Sequence, residues 1–102
     1  MSPEHIAELA QLGAESTGPG GRHIITLCGR FVRLAHDPCA GSEFAWHCGG
    51  MQSGDCYGPT PRAAYTACLY LRAEALAARI AMLQAEAAEI AGELSRVAEV
   101  AK

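Results

Sequence analysis

Apolar residues recur at regular intervals in the last third of the chain. From Leu76 onward they are spaced alternately four and three residues apart, which is the a/d spacing of a coiled coil. This apolar stripe comprises Leu76, Ile80, Leu83, Ala87, Ile90, Leu94 and Val97. Upstream, Thr60 is a suitable N-cap and Pro61 a suitable first helical residue, and no glycine or proline follows before Gly92. The pattern predicts one helix of about 40 residues, roughly 60 Å long.

A helix of this length extends far beyond what a small sheet can cover, so we expect the apolar stripe to join two copies of the chain as a homodimer. Residues that flank it, among them Ala77, Ala91 and Ala98, are small and allow close helix approach. This favours an antiparallel pair, but the charged flanks give a mixed signal and parallel pairing stays open. Two further alternatives stay open. The stripe packs on its own chain, with the N-terminal segment covering part of it, or it binds a helix of another protein.

The N-terminal segment carries a shorter helical pattern. Residues 3–13 place Ile6 and Leu9 at helical spacing behind Ser2, a possible N-cap, and Pro3. Residues 14–21 are polar and rich in glycine and proline, which predicts a flexible linker that separates this short helix, as an arm, from the core.

Three runs rich in β-branched and aromatic residues follow, HIITLCG, RFVRLAHD and SEFAWHCGG, and they predict a three-stranded antiparallel meander. With Cys28-Gly29 as a two-residue hairpin turn, Ile25 opposes Val32 and Leu27 opposes Arg30. Because successive side chains of a strand point to opposite faces, one face of the hairpin is more apolar, with Ile25, Leu27, Val32 and Leu34. We expect a helix to cover this face. The face on which the third strand places Trp46 stays open.

These elements together predict an α+β fold. A three-stranded antiparallel sheet packs on the first part of a long C-terminal helix, and a short helix precedes the sheet. Residues 1–21 form the N-terminal helix and linker, residues 22–75 the sheet-plus-helix core, and residues 76–102 the coiled-coil-like dimerisation segment.

Composition narrows the class of function. The 102 residues carry a net charge of −3, and no run of Lys or Arg occurs, which argues against nucleic-acid binding driven by charge. No apolar stretch reaches the roughly 18 residues of a membrane span, and the N-terminus lacks the pattern of a signal peptide. We therefore expect a soluble, cytoplasmic protein that does not associate with membranes.

Five cysteines and four histidines raise the question of metal binding or catalysis. No Cys-x₂-Cys pair occurs, although Cys39, His47, Cys48 and Cys56 could converge as zinc ligands at loop ends. The neighbours His47 and Cys48 would point to opposite faces of a strand, which argues against a catalytic thiol and base. An odd number of cysteines favours free thiols over disulfides. We expect no enzymatic activity, no catalytic residues, no cofactor and no metal site, with a small zinc-binding module as an alternative.

The less apolar face of the sheet combines residue types that are enriched at protein interaction hot spots. The predicted partner-binding residues are Arg30, Phe31, Arg33 and Trp46. Binding of RNA or DNA by the two arginines and Phe31, through charge and stacking, is the competing interpretation.

Two resemblances bear on function. The segment CYGPTPRAA at residues 56–64, which follows the strands and opens the helix, resembles the G-x-T-x-x-E-A segment of HicB-type antitoxins, with Ala63 at the acidic position. That resemblance implies a meander-plus-helix unit in a dimeric, nucleic-acid-binding regulator. By size and character alone, the chain also resembles accessory proteins of bacteriophages, including inhibitors of CRISPR systems.

The leading hypothesis is therefore a non-enzymatic inhibitor or adaptor, encoded by a phage or mobile element, that binds a host protein complex. A dimeric nucleic-acid-binding regulator of the antitoxin type is the alternative.

Overall fold

The computed structural model describes residues 2–17 and 22–100. Its elements, in chain order, are helix α1 (Pro3–Gln11), strands β1 (Glu15–Ser16), β2 (Arg22–Leu27), β3 (Arg30–His36), β4 (Trp46–Gly49) and β5 (Cys56–Gly58), and helix α2 (Pro61–Val100). A single 3₁₀ turn, Ser42–Phe44, precedes β4. The predicted α+β class is confirmed, and so is the start of the long helix, where the Thr60 hydroxyl accepts the Ala63 N–H at 3.1 Å.

The sheet has five antiparallel strands in the order β1-β2-β3-β4-β5, so the prediction of three strands was wrong. The two additional strands lie at the edges. Glu15 pairs with Ile24 of β2, and Cys56 pairs with Cys48 of β4. Strands of two and three residues are too short to show the period-two alternation by which a strand is recognised in a sequence.

The central hairpin forms as its turn residues predict. Cys28 and Gly29 both have positive φ, 54° and 73°, which is the conformation of a type I′ turn. Ile25 therefore pairs with Val32, and Leu27 with Arg30. This register assigns every side chain of β2 and β3 to a face.

The hydrophobic core lies against one face of the sheet. Val32 and Leu34 are buried there with Ile25, and Trp46 and Cys48 of β4 join them. Leu9 of α1 and two small residues of α2, Ala64 and Cys68, complete the same cluster, together with Met51. Small residues on the helix let it approach the sheet closely. Gly58 serves the same purpose, because a Cβ there would lie 2.7 Å from the Ala64 backbone nitrogen.

Helix α1 is part of this core, which corrects the prediction of a helical arm behind a flexible linker. Leu9 is 2% exposed, and the buried Trp46 indole N–H donates to Nδ1 of His5 at 3.3 Å. The Glu8 carboxylate accepts the Arg62 backbone N–H at 2.5 Å and so caps the first turn of α2. Residues 14–17 lead into and form β1, and residues 18–21 of the predicted linker lie outside the described residues.

The chain divides into two compact units, Met1–Arg72 and Ala73–Lys102. The first contains the sheet, α1 and the first three turns of α2. In the second, residues 73–100 form the remainder of α2, and each of them is exposed. None of the described helices combines the length and the apolar character that crossing a membrane requires.

The His5 side chain should contribute to stability through Trp46. We expect His5→Ala to lower the free energy of unfolding by about 1 to 3 kcal/mol, because it leaves a buried indole N–H without an acceptor. Urea unfolding followed by circular dichroism at one fixed protein concentration measures this. Ile6→Gln, on the exposed side of the same helix, is the matched control and should change stability by less than about 0.5 kcal/mol.

A double-mutant cycle with Trp46→Phe separates this bond from a general effect on α1. If this hydrogen bond is the cause, His5→Ala lowers the free energy of unfolding less in the Trp46→Phe protein than in the wild type. Strictly additive losses of unfolding free energy would contradict the role of the bond.

Candidate binding surfaces

The apolar stripe is exposed along its whole length. Relative exposure rises from 40% at Leu76 to 67% at Leu94, and the remaining large members lie between these values: Ile80, Leu83, Ile90 and Val97. Leu9, one of the N-terminal residues that was to cover the stripe, is instead buried in the core of the first unit.

The stripe is not needed to make this segment helical. Ten of the 28 residues from position 73 to position 100 are alanine, the residue with the highest helix propensity. An ion pair between Glu93 and Arg96 adds local support, lowering the pKa of the carboxyl and raising that of the guanidinium. The large apolar side chains at a/d spacing are thus exposed to water on a segment that alanine and local ion pairing already favour as a helix.

The second surface is the sheet face that the helices leave uncovered. We call it the open face, and strand pairing assigns to it Glu15, Arg22, Ile24, Thr26, Phe31, Arg33, Ala35, His47 and Tyr57. Phe31 is 66% exposed and Tyr57 55% exposed. The face therefore presents aromatic and cationic groups side by side.

The predicted partner-binding residues do not all lie on this surface. Phe31 and Arg33 are on the open face and are exposed. Arg30 is exposed too, but it pairs with Leu27 and so belongs to the opposite side of the sheet. Trp46 is fully buried, because its pairing with His36 directs the indole into the core. The prediction for Trp46 as a contact residue was wrong.

Strand pairing adds residues that the sequence did not reveal. Arg22, Ala35, His47 and Tyr57 form one row straight across β2, β3, β4 and β5, and Arg33 lies two residues from Ala35 on the same face. Arg22 could have been found, since it alternates with Ile24 in the predicted hairpin. The position of His47 depends on the pairing of β3 with β4, which no tight turn encodes.

His47 is held between two neighbours on the open face. Its Nε2 lies 3.1 Å from Oδ2 of Asp55, outside the angular range of a hydrogen bond, and its ring packs on Tyr57 at a centroid distance of 5.0 Å. Gly49 makes room for this arrangement, because a Cβ there would lie 2.9 Å from Oδ1 of Asp55. Asp55 therefore accompanies His47 and not the arginines.

Three of the five free cysteines meet on the covered face. Cys48 pairs with Cys56 across β4 and β5, and the Cys68 thiol lies 3.9 Å from the Cys48 carbonyl oxygen. Burial raises the pKa of Cys48 and of Cys56, and neighbouring thiols raise both further, so these groups stay neutral at physiological pH. His47 lies on the other face, as predicted.

Within residues 2–17 and 22–100, no group of three or more His, Cys, Asp and Glu side chains is arranged to hold a metal ion. The four residues considered as zinc ligands do not form such a group, since His47 is on the face opposite Cys48 and Cys56.

Comparison with known proteins adds no relative. No family model matches the chain, and no curated protein or solved structure matches it significantly.

Proposed function

We propose that this chain is a non-enzymatic binding protein of the inhibitor or adaptor type that works as a homodimer. Two copies pair through the apolar stripe, and each uses its open face to bind a protein of a host complex. An origin in a phage or mobile element is in keeping with the resemblance to bacteriophage inhibitors. The observation that carries the proposal is the exposed, unbroken stripe on residues 76–97.

The side chains of the stripe favour an antiparallel pair. In that arrangement a positions pack against d positions, and one register brings Leu83 opposite Ala87 of the second copy. The same register places Ile80 opposite Ile90 and Leu76 opposite Leu94. A large residue thus faces the small Ala87 twice per dimer. A parallel pair would place Ala87 against itself and leave a void, which costs stability.

Charged residues beside the stripe agree with this choice. In the antiparallel register Arg79 lies near Glu93 of the second copy, and symmetry provides this attraction twice against one contact between the two Glu86 side chains. In a parallel pair Arg79 would face Gln84. Glu86 and Glu93 would face Ala91 and Ala98. The parallel pair gains no ion pair.

A charge placed in the stripe should abolish the dimer. We expect wild-type protein to sediment at twice the chain mass of 10.7 kDa and Leu83→Asp to sediment as a folded monomer, because burying an unpaired carboxylate is strongly unfavourable. Met82→Asp is the matched control. It adds the same charge at the neighbouring position, which is 73% exposed and outside the stripe, and should remain dimeric.

Sedimentation equilibrium over a range of concentrations, with circular dichroism to verify folding, makes this comparison. A wild-type protein that is monomeric at every concentration would contradict the homodimer. Equal effects of the two substitutions would show that charge alone, and not the stripe, governs association.

Helix direction can be measured with a spin label at Glu99→Cys, in protein whose exposed Cys28 and Cys39 are replaced by serine. In the antiparallel register residue 99 of one copy lies beside residue 71 of the other, so the two labels are about 42 Å apart along the axis. In a parallel pair they lie across one helix pair, roughly 20 Å apart. Double electron-electron resonance distinguishes these distances, and the shorter one would contradict the antiparallel pair.

Phe31 provides a test of the open face. We expect tagged protein to retain a bacterial protein from lysate, Phe31→Ala to lose it, and nuclease treatment to leave it in place. Phe44→Ala is the matched control, since it removes another exposed aromatic ring, 56% exposed, outside the strands of the sheet. Retention that disappears with nuclease would instead support a nucleic-acid-binding regulator, and equal retention by both variants would contradict the role of the open face.

A further inference from the structure

The geometry points to a pocket on the open face that binds one carboxylate group. We infer that Arg22 and Arg33 hold the carboxylate, with Ala35 as the floor and His47 as a wall, and that the group is an aspartate or glutamate side chain of the partner protein. This inference rests on the proposed function, because it names the chemistry of the partner that the open face binds.

The shape follows from the residue sizes along one row of the sheet. Ala35 lies directly between Arg22 and His47, so a methyl group stands between two longer side chains. The resulting depression has a volume of about 210 Å³ and is lined by these three residues and Arg33. Since a water molecule occupies about 30 Å³, the depression has room for a carboxylate and some of its hydration.

The two guanidinium groups are available for a ligand. Among the described residues, the carboxylates within ion-pair distance of a basic side chain are Asp55, beside His47, and Glu93, beside Arg96, so no described carboxylate lies at that distance from Arg22 or Arg33. Arg22 and Arg33 are diagonal neighbours across β2 and β3, roughly 7 to 8 Å apart at Cα. Both line the same depression, so an anion bound between them would be attracted by two positive charges. Guanidinium forks also match the planar geometry of a carboxylate.

The surroundings favour a single carboxylate over a phosphate backbone. Glu15 pairs with Ile24 and stands at one edge of the open face, and Asp55 stands at the other. Both would repel a phosphate backbone that crosses the whole sheet, whereas a short acidic peptide can place one carboxylate between them. Phe31, next to Arg33 and largely exposed, offers an apolar contact of the kind that a protein surface fills.

Nuclear magnetic resonance of the full chain can test the pocket with defined probes. We expect acetylated, amidated tetra-glutamate to shift the Arg22 and Arg33 side-chain signals saturably, and tetra-glutamine to leave them unchanged. Arg33→Gln should weaken this binding about tenfold or more, since it removes a charge-assisted hydrogen bond. Arg30→Gln is the matched control, because it makes the same change on the other side of the sheet, and its affinity should stay within about twofold of wild type.

Ala35→Leu gives a second variant that keeps both guanidinium groups and fills the floor of the pocket. It should abolish the shifts while the amide spectrum still shows a folded protein. If both Ala35→Leu and Arg33→Gln still bind tetra-glutamate as the wild type does, the pocket is wrong. It is also wrong if tetra-glutamate shifts no signal of the wild-type protein. Tighter binding of an eight-residue oligothymidine through the same arginines would overturn the assignment to a carboxylate.

These outcomes are independent of the dimer. If tetra-glutamate binds as expected but the wild-type chain sediments as a monomer, the pocket stands and the homodimer fails. If the chain is a dimer and retains its partner protein while tetra-glutamate has no effect, only the pocket fails.

Discussion

A fully buried tryptophan must satisfy its indole N–H inside the protein, and in this chain that requirement ties the N-terminal helix to the sheet. Trp46 is the largest buried side chain, and its acceptor is His5, 41 positions earlier in the chain. Docking of α1 by this bond brings Leu9 into the core and places Glu8 at the start of α2. This hydrogen bond and the burial of Leu9 together connect the sheet with the N-terminal helix, and that helix caps the long one.

With the covered face of the sheet closed by α1 and the first turns of α2, two surfaces remain for intermolecular contacts. The apolar stripe consists of large aliphatic side chains at regular spacing, which suits another helix. The open face mixes Phe31, Tyr57 and arginines, which suits a partner with both apolar and acidic groups. The proposed association of copies and the proposed binding of a partner therefore involve different parts of the chain.

The parts of the fold that the sequence predicted are those governed by neighbours along the chain. The hairpin of β2 and β3 follows from the conformation of Cys28-Gly29, and the start of α2 follows from Thr60 and Pro61. The parts it did not predict depend on distant pairings. β1 and β5 exist only because longer strands offer them partners, and the row that joins Arg22 to His47 requires the register of β4. For the same reason the face of Trp46 stayed open until that register was known.

The two edge strands also limit how the molecule can assemble. An exposed edge attracts further strands in proportion to its length, because its unpaired N–H and carbonyl groups serve as a template. Here the edges are β1, with two residues, and β5, with three, so each offers very few such groups. The sheet is consequently a poor seed for fibre growth. In the proposed dimer, helix pairing would be complete with two copies, whereas addition of strands at an open edge could continue without limit.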